Sequence, residues 1–537
     1  MRPGGGGPTL PGVSTRPDDD LLFPPPRPRW GDLAAGIAVA FILIPQALAY
    51  ADIAGMPAAN GLFAATLPPI AAALVASSPY LQTGPVAMTS LLTFGILSTL
   101  AAPGSPEYVG LAAVLALVVG VIRLLIGLVG AGVVSYFMSQ PVLRGFTSAA
   151  ALLIVSSQLP TALGSAPPDG HLLFRAGWSL AHPSSWHAAA LAFAVAAVAV
   201  VALSSRIHPL FPGVALVVVI GLVVARASGF DGPAVGALPT DLPPFSLALP
   251  WSRLGDLLLP GVVIALVGFA EAAAIAMTYA ARDRTRWNAD REFAGQGLAN
   301  LTAGLFGGFP VGGSFGRSSI NRLSGARTRW SGAITGLAVL AFLPAAGILE
   351  RLPRSILAGI VIAAVAPLLR PAEMWRIFRY SPAQGTVGFA TFGLTLALSP
   401  RIDEAVLIGI GMGVAVHLVR ELRVDVDART EGDTLYIRPA GVLYFGSANR
   451  LSEALLDEIA RHPEAMRLVV DLSGIGRLDY TGAMALRSLA DQARDAGMEV
   501  EVIGVTPPSR RIIDSVWHDR PGGLPGWRDL LKRARRR

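Results

Sequence analysis

The chain has 537 residues, of which 53% are hydrophobic and 15% are charged, and its mean hydropathy is +0.55. Soluble domains carry about 25% charged residues, so this composition indicates a polytopic membrane protein. The formal net charge of +7 comes from arginines in short loops, which excludes a basic nucleic-acid surface, and the lack of cysteine excludes disulfides and thiolate catalysis.

The remaining composition argues against enzymatic chemistry. Lys532 is the only lysine in the sequence, so a Walker-type phosphate loop is excluded. The seven histidines show no metal-ligand spacing, and no Ser/His/Asp set is evident. We therefore expect a protein that is not an enzyme and that needs no cofactor or metal.

The chain begins with a polar tail and continues into apolar segments. Residues 1–30 are rich in glycine, proline and aspartate and lack a signal-peptide core, which predicts a disordered cytoplasmic tail. Residues 31–423 contain apolar runs of spanning length and are predicted to form an all-α transmembrane domain. We predict fourteen segments, near 31–52, 58–76, 84–102, 109–132, 140–159, 186–203, 211–227, 257–280, 292–306, 313–324, 330–348, 353–369, 384–399 and 403–420.

The arginines predict the orientation of these segments. An even number of segments places both termini on one side of the membrane. With the N-terminus inside, the arginine-rich loops are cytoplasmic, and they hold Arg282, Arg284, Arg286, Arg291, Arg322, Arg327, Arg329, Arg370, Arg376 and Arg379. We expect a multi-pass inner-membrane protein with both termini in the cytoplasm.

The membrane domain contains a faint internal repeat. Trp30-Gly-Asp-Leu33 resembles Leu254-Gly-Asp-Leu257, and Gly84-Pro-Val-Ala-Met88 occupies the place in the first half that Gly313-Ser-Phe-Gly-Arg317 occupies in the second. Two halves of seven segments have inverted topologies because seven is odd. Paired, glycine- and proline-interrupted segments in such halves predict a binding site at the middle of the membrane.

The polar stretch from Gly307 to Gly325 is the strongest candidate for that site. Irregular backbone at membrane depth must be enclosed by protein or line a watery cavity. A helix that begins after Gly313 would point free N–H groups and the Arg317 side chain into such a cavity, which favours an anion. The alternative is that Arg317 only anchors the segment by extending toward the cytoplasm.

The last part of the chain has the composition of a soluble domain. Thr434–Arg438, Gly441–Phe445, Arg467–Asp471 and Glu499–Gly504 are predicted strands, and helices are predicted over 448–462 and 480–497. This alternation predicts a small α/β domain over residues 424–537. The domain ends in a basic tail from Lys532 to Arg537.

The order of these motifs resembles the SulP anion permease family, which includes sulfate permeases and prestin-like transporters. The resemblance is carried by Ile44–Ala51, Thr83-Gly84-Pro85 and Gly312–Asn321. Val470–Gly474 and Asp479–Gly482 resemble a STAS domain. The resemblance implies two inverted seven-helix repeats that form core and gate domains, followed by a small cytoplasmic STAS domain, and it implies a homodimer.

The same resemblance implies where the substrate binds. The anion would lie between the N-termini of the third and tenth segments, contacted by the following residues: Val86, Ala87, Ser314, Phe315, Gly316 and Arg317. Gln46 either donates hydrogen bonds to the anion or bonds only to a neighbouring helix. Glu271, in an apolar run, either carries a proton with each anion or is a neutral structural group.

We therefore predict a secondary active transporter of small anions, with sulfate, bicarbonate or dicarboxylates all compatible, that works by alternating access and is coupled to protons. The alternatives are a sodium-coupled bicarbonate transporter, a nucleobase permease of the same fold, a channel-like anion conductor and a membrane-anchored STAS signalling platform. The STAS domain could also bind a cytoplasmic partner. Thr481 could be phosphorylated, although its spacing favours a helix N-cap.

Overall fold

A computed structural model describes residues 27–137, 139–208, 210–238, 240–422 and 425–517. Most of the predicted N-terminal tail, the predicted domain boundary at residues 423–424 and the basic tail lie outside the described residues. The chain divides into two compact units, one ending at Gly411 and one beginning at Met412. Each unit is described by itself below.

The first unit is helical. Its helices are α1 (Trp30–Ile53), α2 (Ala58–Ala64), α3 (Leu67–Val75), α4 (Ala87–Leu97), α5 (Pro106–Leu128), α6 (Gln140–Leu163), α7 (Leu172–Ala181), α8 (Ala188–Ile207), α9 (Gly213–Ala227), α10 (Leu254–Asp283), α11 (Ala289–Leu305), α12 (Phe315–Leu323), α13 (Trp330–Phe342), α14 (Arg354–Val365), α15 (Pro371–Tyr380), α16 (Pro382–Ala397) and α17 (Ile402–Glu421), the last of which continues into the second unit. Each of the fourteen predicted segments coincides with one of these helices or with a consecutive pair of helical stretches. Two further helices, α7 and α15, lie where the sequence predicts no segment.

Eight helical stretches of the described chain are long and apolar enough to cross a membrane on their own. Their buried residues form one extensive core, in which alanine, leucine, isoleucine and valine predominate. The exposed surface of the same helices is also apolar, as at Phe41, Leu125 and Leu128. A helix that is apolar all round is typical of a protein whose surroundings are lipid.

Two short helices interrupt this pattern. At 1.5 Å per residue, α4 is about 16 Å long and α12 is about 14 Å long, so neither crosses a hydrocarbon layer of about 30 Å. Each follows a three-residue strand, β1 (Gln82–Gly84) before α4 and β2 (Gly312–Ser314) before α12. The two strands pair in antiparallel fashion with Thr83 opposite Gly313. This pairing brings the N-termini of the two short helices together.

The predicted repeat is visible at the start of each half. Asp32 and Asp256 are each the third residue of their helices, α1 and α10. Their surroundings differ, because buried Asp32 accepts hydrogen bonds from the N–H groups of Arg29, Arg327 and Thr328. Asp256 forms only a partly exposed ion pair.

The second unit contains an α/β domain. Its strands are β3 (Asp425–Glu431), β4 (Thr434–Leu443), β5 (Arg467–Asp471), β6 (Ile475–Leu478) and β7 (Glu499–Ile503), and its helices are α18 (Ala448–Arg461), α19 (Tyr480–Asp495) and α20 (Pro507–Trp517). The sheet order is β3-β4-β5-β7, with β6 paired to the far end of β4. Only β3 is antiparallel to its neighbour; the other pairs are parallel. Strands and helices bury one apolar core that includes Leu435, Leu468 and Leu486.

Two predictions for this domain are wrong. The sequence predicts two strands on either side of Pro439-Ala440, whereas β4 is one strand with a register shift between Gly441 and Val442 that absorbs the irregularity. Thr481 is not the N-cap of α19. The carboxylate of Asp479 occupies that position and accepts a hydrogen bond from the Gly482 N–H at 2.7 Å, while Thr481 is exposed in the first turn.

Candidate functional site

The N-termini of α4 and α12 form the candidate site. Val86 precedes the first residue of α4, Ala87, and both are buried. Ser314 caps α12, and its hydroxyl accepts a hydrogen bond from the Arg317 N–H at 3.4 Å. The first N–H groups of a helix have no partner within the helix, so two such ends that converge favour negative charge.

Arg317 is buried beside these ends. Its side chain is 1% exposed, and its Nη1 donates to Oε1 of Gln46 on α1 at 3.3 Å. Its Nε and Nη2 have no hydrogen-bond partner among the described residues. A guanidinium is charged and has five N–H donors. The guanidinium of Arg317 can therefore bind a further acceptor in its own plane.

Gly84 allows this close approach. Its φ of +154° lies in a region that favours glycine, and a Cβ there would lie 3.5 Å from Nη2 of Arg317. On the opposite strand, a Cβ at Gly312 would lie 3.2 Å from Cγ2 of Val86. A side chain at Gly84 is therefore disfavoured by the backbone conformation, and one at Gly312 would require a small shift of Val86.

Glu271 lies on α10, directly behind β2. Its neighbour Ala272 packs against Gly313, where a Cβ would meet that of Ala272 at 3.0 Å. Glu271 is half-buried, and it forms no ion pair within 4.0 Å in the described part of the chain. Through Ala272 and Gly313 it lies beside the strand that leads into α12, the helix that carries Arg317.

The structure thus joins Gln46 and Ser314 to Arg317 by hydrogen bonds and places Val86 and Ala87 at the start of α4, next to the paired strands. Phe315 and Gly316, also predicted to contact the anion, are exposed at the start of α12. Phe315 is 53% exposed, and its ring stacks on that of Tyr279, with 6.4 Å between the centroids. Their backbone N–H groups belong to the first turn of α12, but the Phe315 side chain points away toward α10.

A set of buried polar side chains that the sequence analysis missed holds the two strands in place. On α11, Gln296 donates to the Thr83 hydroxyl at 2.6 Å. One turn later, Asn300 exchanges two hydrogen bonds with the backbone of Val311, just before β2. The hydroxyl of Ser318 on α12 accepts from the Gln82 N–H at 2.9 Å. The four-residue spacing of Gln296 and Asn300 within a buried helix was the available signal.

Arg123 on α5 is a second buried arginine that the sequence analysis missed. It is fully buried, and it donates to the carbonyl oxygens of Ile264, Ala265 and Val311, each at 3.0 Å. These bonds tie α5 to α10 and to the segment that leads into β2. Its guanidinium lies so close to Gly268 that a Cβ there would be 2.6 Å from Nη2.

Together these observations define a class of protein. A helical membrane unit with paired, interrupted helices encloses a buried cation beside two helix N-termini, and a separate α/β domain follows it. This is the architecture of a polytopic membrane transporter whose site suits an anion.

Comparisons with known proteins identify the family. The sequence model of the sulfate permease family matches residues 30–391, and that of the STAS domain matches residues 425–520. The chain is 34% identical over 403 residues to a probable sulfate transporter of Mycobacterium tuberculosis, covering 74% of this chain and 71% of that one. It is 29% identical over 530 residues to the sodium-independent sulfate anion transporter of Bos taurus, covering 90% and 85% respectively.

A solved structure shares the fold. The murine Slc26a9 anion transporter in its inward-facing state superposes with a TM-score of 0.84 at 19% identity, over 94% of this chain and 91% of that one. The chain therefore belongs to the sulfate permease family, and it is an anion transporter of that family with a C-terminal STAS domain.

Proposed function

We propose that the protein is a secondary active transporter that moves sulfate or another small oxyanion across the cell inner membrane by alternating access. Sulfate is the preferred candidate substrate because the two relatives compared above are named as sulfate transporters. Bicarbonate and dicarboxylates remain candidates, since a site built from helix ends distinguishes charge and size better than identity.

The observation that carries this proposal is the state of Arg317. A buried guanidinium is costly unless its charge and its N–H groups are compensated. Within the described residues, Arg317 has one long hydrogen bond, to Gln46, and two nitrogen atoms without a partner. An oxyanion bound between α4 and α12 would accept from these nitrogens in bidentate geometry and neutralise the charge.

The neighbouring groups have distinct proposed roles. The backbone N–H groups that follow Val86 and Ser314 donate to the remaining oxygens of the anion. Gln46 accepts from Arg317 and so orients its guanidinium. Because no carboxylate of the described residues is paired directly with Arg317, a bound anion does not have to displace one of them.

Glu271 is proposed as the proton carrier. A half-buried carboxyl near a cation can exchange a proton when the occupancy of the site changes, because a bound anion and an ionised Glu271 repel each other. Protonation of Glu271 would then accompany anion binding, which is symport. Sodium in place of the proton is the competing possibility.

The proposed membrane orientation and oligomeric state are those that the sequence predicts. Both termini are cytoplasmic, and the transporter is a homodimer whose STAS domain regulates transport or binds a partner. We propose no enzymatic step and no cofactor for either unit.

Uptake into proteoliposomes tests the proposal. Purified protein is reconstituted, and labelled sulfate, bicarbonate and fumarate are each supplied with or without an inward proton or sodium gradient. We expect a proton gradient to drive accumulation of sulfate above its equilibrium level. Empty liposomes, and liposomes that contain Arg317→Ala, serve as controls.

Each alternative gives a different result. Sodium-driven accumulation of bicarbonate would replace both the substrate and the coupling ion. Uptake of uracil or another nucleobase would indicate the nucleobase permease, and currents far faster than carrier turnover would indicate a channel. No uptake of any compound by correctly folded protein would favour the signalling platform.

A further inference from the structure

The connection between α14 and α16 contains a short helix, α15. Hydropathy alone would extend a single span from Arg354 to Tyr380. The structure divides it, because a 3-10 turn at Ala366–Leu368 and Pro371 at the first helical position separate α14 from α15. A ten-residue helix is about 15 Å long, half of the hydrocarbon thickness.

One face of α15 packs on the protein. Met374 is 5% exposed, and the ring of Phe378 meets that of Phe389 on α16 edge to face, with 6.0 Å between the centroids. Gly385 is packed so tightly that a Cβ there would lie 2.3 Å from the Cα of Phe378. Glu373 adds an ion pair at 3.0 Å to Arg144 on α6. The helix is therefore held against α6 and α16.

The opposite face is exposed and combines two residue types. Trp375 is 56% exposed and Tyr380 is 86% exposed. Arg376 and Arg379 are exposed on the same side. Each arginine lies four residues from one of the aromatic side chains, so the two types alternate over the surface of the helix. We refer to Trp375, Arg376, Arg379 and Tyr380 as the outer face of α15.

The charge around the outer face is strongly positive. Arg370 and Arg144 both bind Glu373, the one acidic residue of the helix, from the inner side. Arg376 and Arg379 form no ion pair within 4.0 Å in the described part of the chain. Tryptophan and tyrosine prefer the level of the lipid headgroups, and arginine binds phosphate in bidentate geometry. The exposed face of the helix is thus complementary to an anionic membrane surface in polarity and charge.

We propose that the outer face of α15 binds the phosphate headgroups of anionic phospholipids. The aromatic rings lie among the headgroups, and Arg376 and Arg379 bind their phosphates. Lipid binding fixes the connection between α14 and α16 at the membrane surface. This inference concerns a surface remote from the anion site, and it holds whichever anion is transported.

The absence of cysteine from the sequence allows a direct test. Ala372 is exposed one turn before Arg376, so Ala372→Cys takes a spin label beside the outer face without altering it. The labelled full-length protein is reconstituted in phosphatidylcholine vesicles with or without phosphatidylglycerol. Label mobility and its accessibility to oxygen and to a water-soluble nickel chelate are then measured.

We expect phosphatidylglycerol to reduce label mobility and to shift accessibility from nickel chelate toward oxygen. Arg376→Gln with Arg379→Gln should abolish this response. Arg450→Gln with Arg461→Gln, which removes the same charge from exposed positions on α18, should leave it intact. A label at Met466, which is 61% exposed in the α/β domain, should not respond.

Two outcomes would overturn the proposal. One is an equal response to phosphatidylglycerol in the Arg376/Arg379 variant, which would assign the effect to the bilayer in general. The other is a label that is immobile and inaccessible in both lipids, which would mean that protein, such as a second copy of the chain, covers this face. Elution of each variant as a single symmetrical peak confirms that it is folded.

Discussion

Arg123 and Arg317 are the two largest side chains that are fully buried in the described part of the chain, yet their surroundings are opposite. Arg123 directs its guanidinium at three backbone carbonyl groups. Arg317 has a single hydrogen bond, at 3.3 Å, and leaves two nitrogens without a partner among the described residues. One arginine is compensated by the protein, and the other is not.

The two buried or half-buried glutamates of the same region repeat this contrast. Glu292 on α11 is fully buried, and its Oε2 accepts from the N–H groups of Ser77 and Ser78 and from the indole of Trp287. Glu271 has no hydrogen bond or ion pair to any described residue. Arg123 and Glu292 thus each form three side-chain hydrogen bonds to the protein, although Oε1 of Glu292 has no partner among the described residues. The side chain of Arg317 forms one such bond, and that of Glu271 forms none to the described residues.

Under the proposed function, this difference separates structural from functional use of the same residue types. A buried charge whose hydrogen bonds are satisfied by the protein stabilises one arrangement of helices. A buried charge that lacks them is held at a cost in stability and is available to a ligand or a proton. The predictions below replace Arg123, Arg317 and Glu271 in turn, with Arg322 and Glu292 as controls.

The largest effect is expected for Arg123→Ala. The change leaves a cavity between α5 and α10, which costs about 2–5 kcal/mol for a large-to-small substitution, and it removes three charged hydrogen bonds. We expect a much lower melting temperature in detergent and little folded protein. Arg123→Lys should also be destabilised, because an ammonium cannot reach three carbonyl groups in a planar fork. An unchanged melting temperature would contradict the structural role.

Arg317→Ala should behave in the opposite way. The variant should fold with a melting temperature close to that of the unmodified protein, because the removal of an uncompensated buried charge offsets the cost of the cavity that it leaves. Its affinity for sulfate should fall about ten- to a hundredfold, since a hydrogen bond to a charged group contributes about 1.5–3 kcal/mol. Titration calorimetry measures this change.

Arg322→Ala is the matched control on the same helix. Arg322 is partly exposed and paired with Asp283, so its loss should leave sulfate affinity unchanged. If Arg317→Ala binds sulfate as tightly as the unmodified protein does, the proposed site is wrong.

Glu271→Gln should change coupling more than affinity. The neutral amide cannot carry a proton, so sulfate uptake should no longer respond to a pH gradient, while exchange of internal for external sulfate should continue. Glu292→Gln is the control, and there the gradient should still drive uptake. Proton-driven accumulation that survives in Glu271→Gln would refute the coupling role.

The sequence was sufficient for most of the fold because membrane spans are specified by local composition. Runs of apolar residues predicted the spans, and Gly84-Pro85 and Gly312-Gly313 predicted the two interruptions, since glycine and proline disrupt helices locally. The helix α15 was missed because its pattern of Trp375, Arg376 and Arg379 matches neither a span nor a polar loop.

The contrast between the buried arginines could not be predicted from sequence. Arg123 lies in an apolar run, whereas Arg317 lies in a polar one. The sequence around Arg123 does not indicate which carbonyl groups its side chain will contact. Its partners, Ile264 and Val311, are distant in sequence and are supplied by packing of α5 against α10. Residues proposed to act through backbone N–H groups, such as Val86, can likewise be recognised only from the helix ends at which they lie.

The smallest effect is expected for a solvent-accessible ion pair. Asp52 on α1 and Arg354 on α14 form an ion pair at 2.8 Å, with side chains 33% and 47% exposed. Exposed pairs contribute about 1 kcal/mol or less, so Asp52→Asn should change the rate of sulfate uptake less than about fivefold. The change should shrink at high salt, because screening weakens the pair in the unmodified protein. Exchanging the charges, with Asp52→Arg and Arg354→Asp together, should restore the original rate. If Asp52→Asn instead abolished uptake, solvent exposure would not predict which charged residues transport requires. The contrast between the buried arginines and glutamates would then not predict function either.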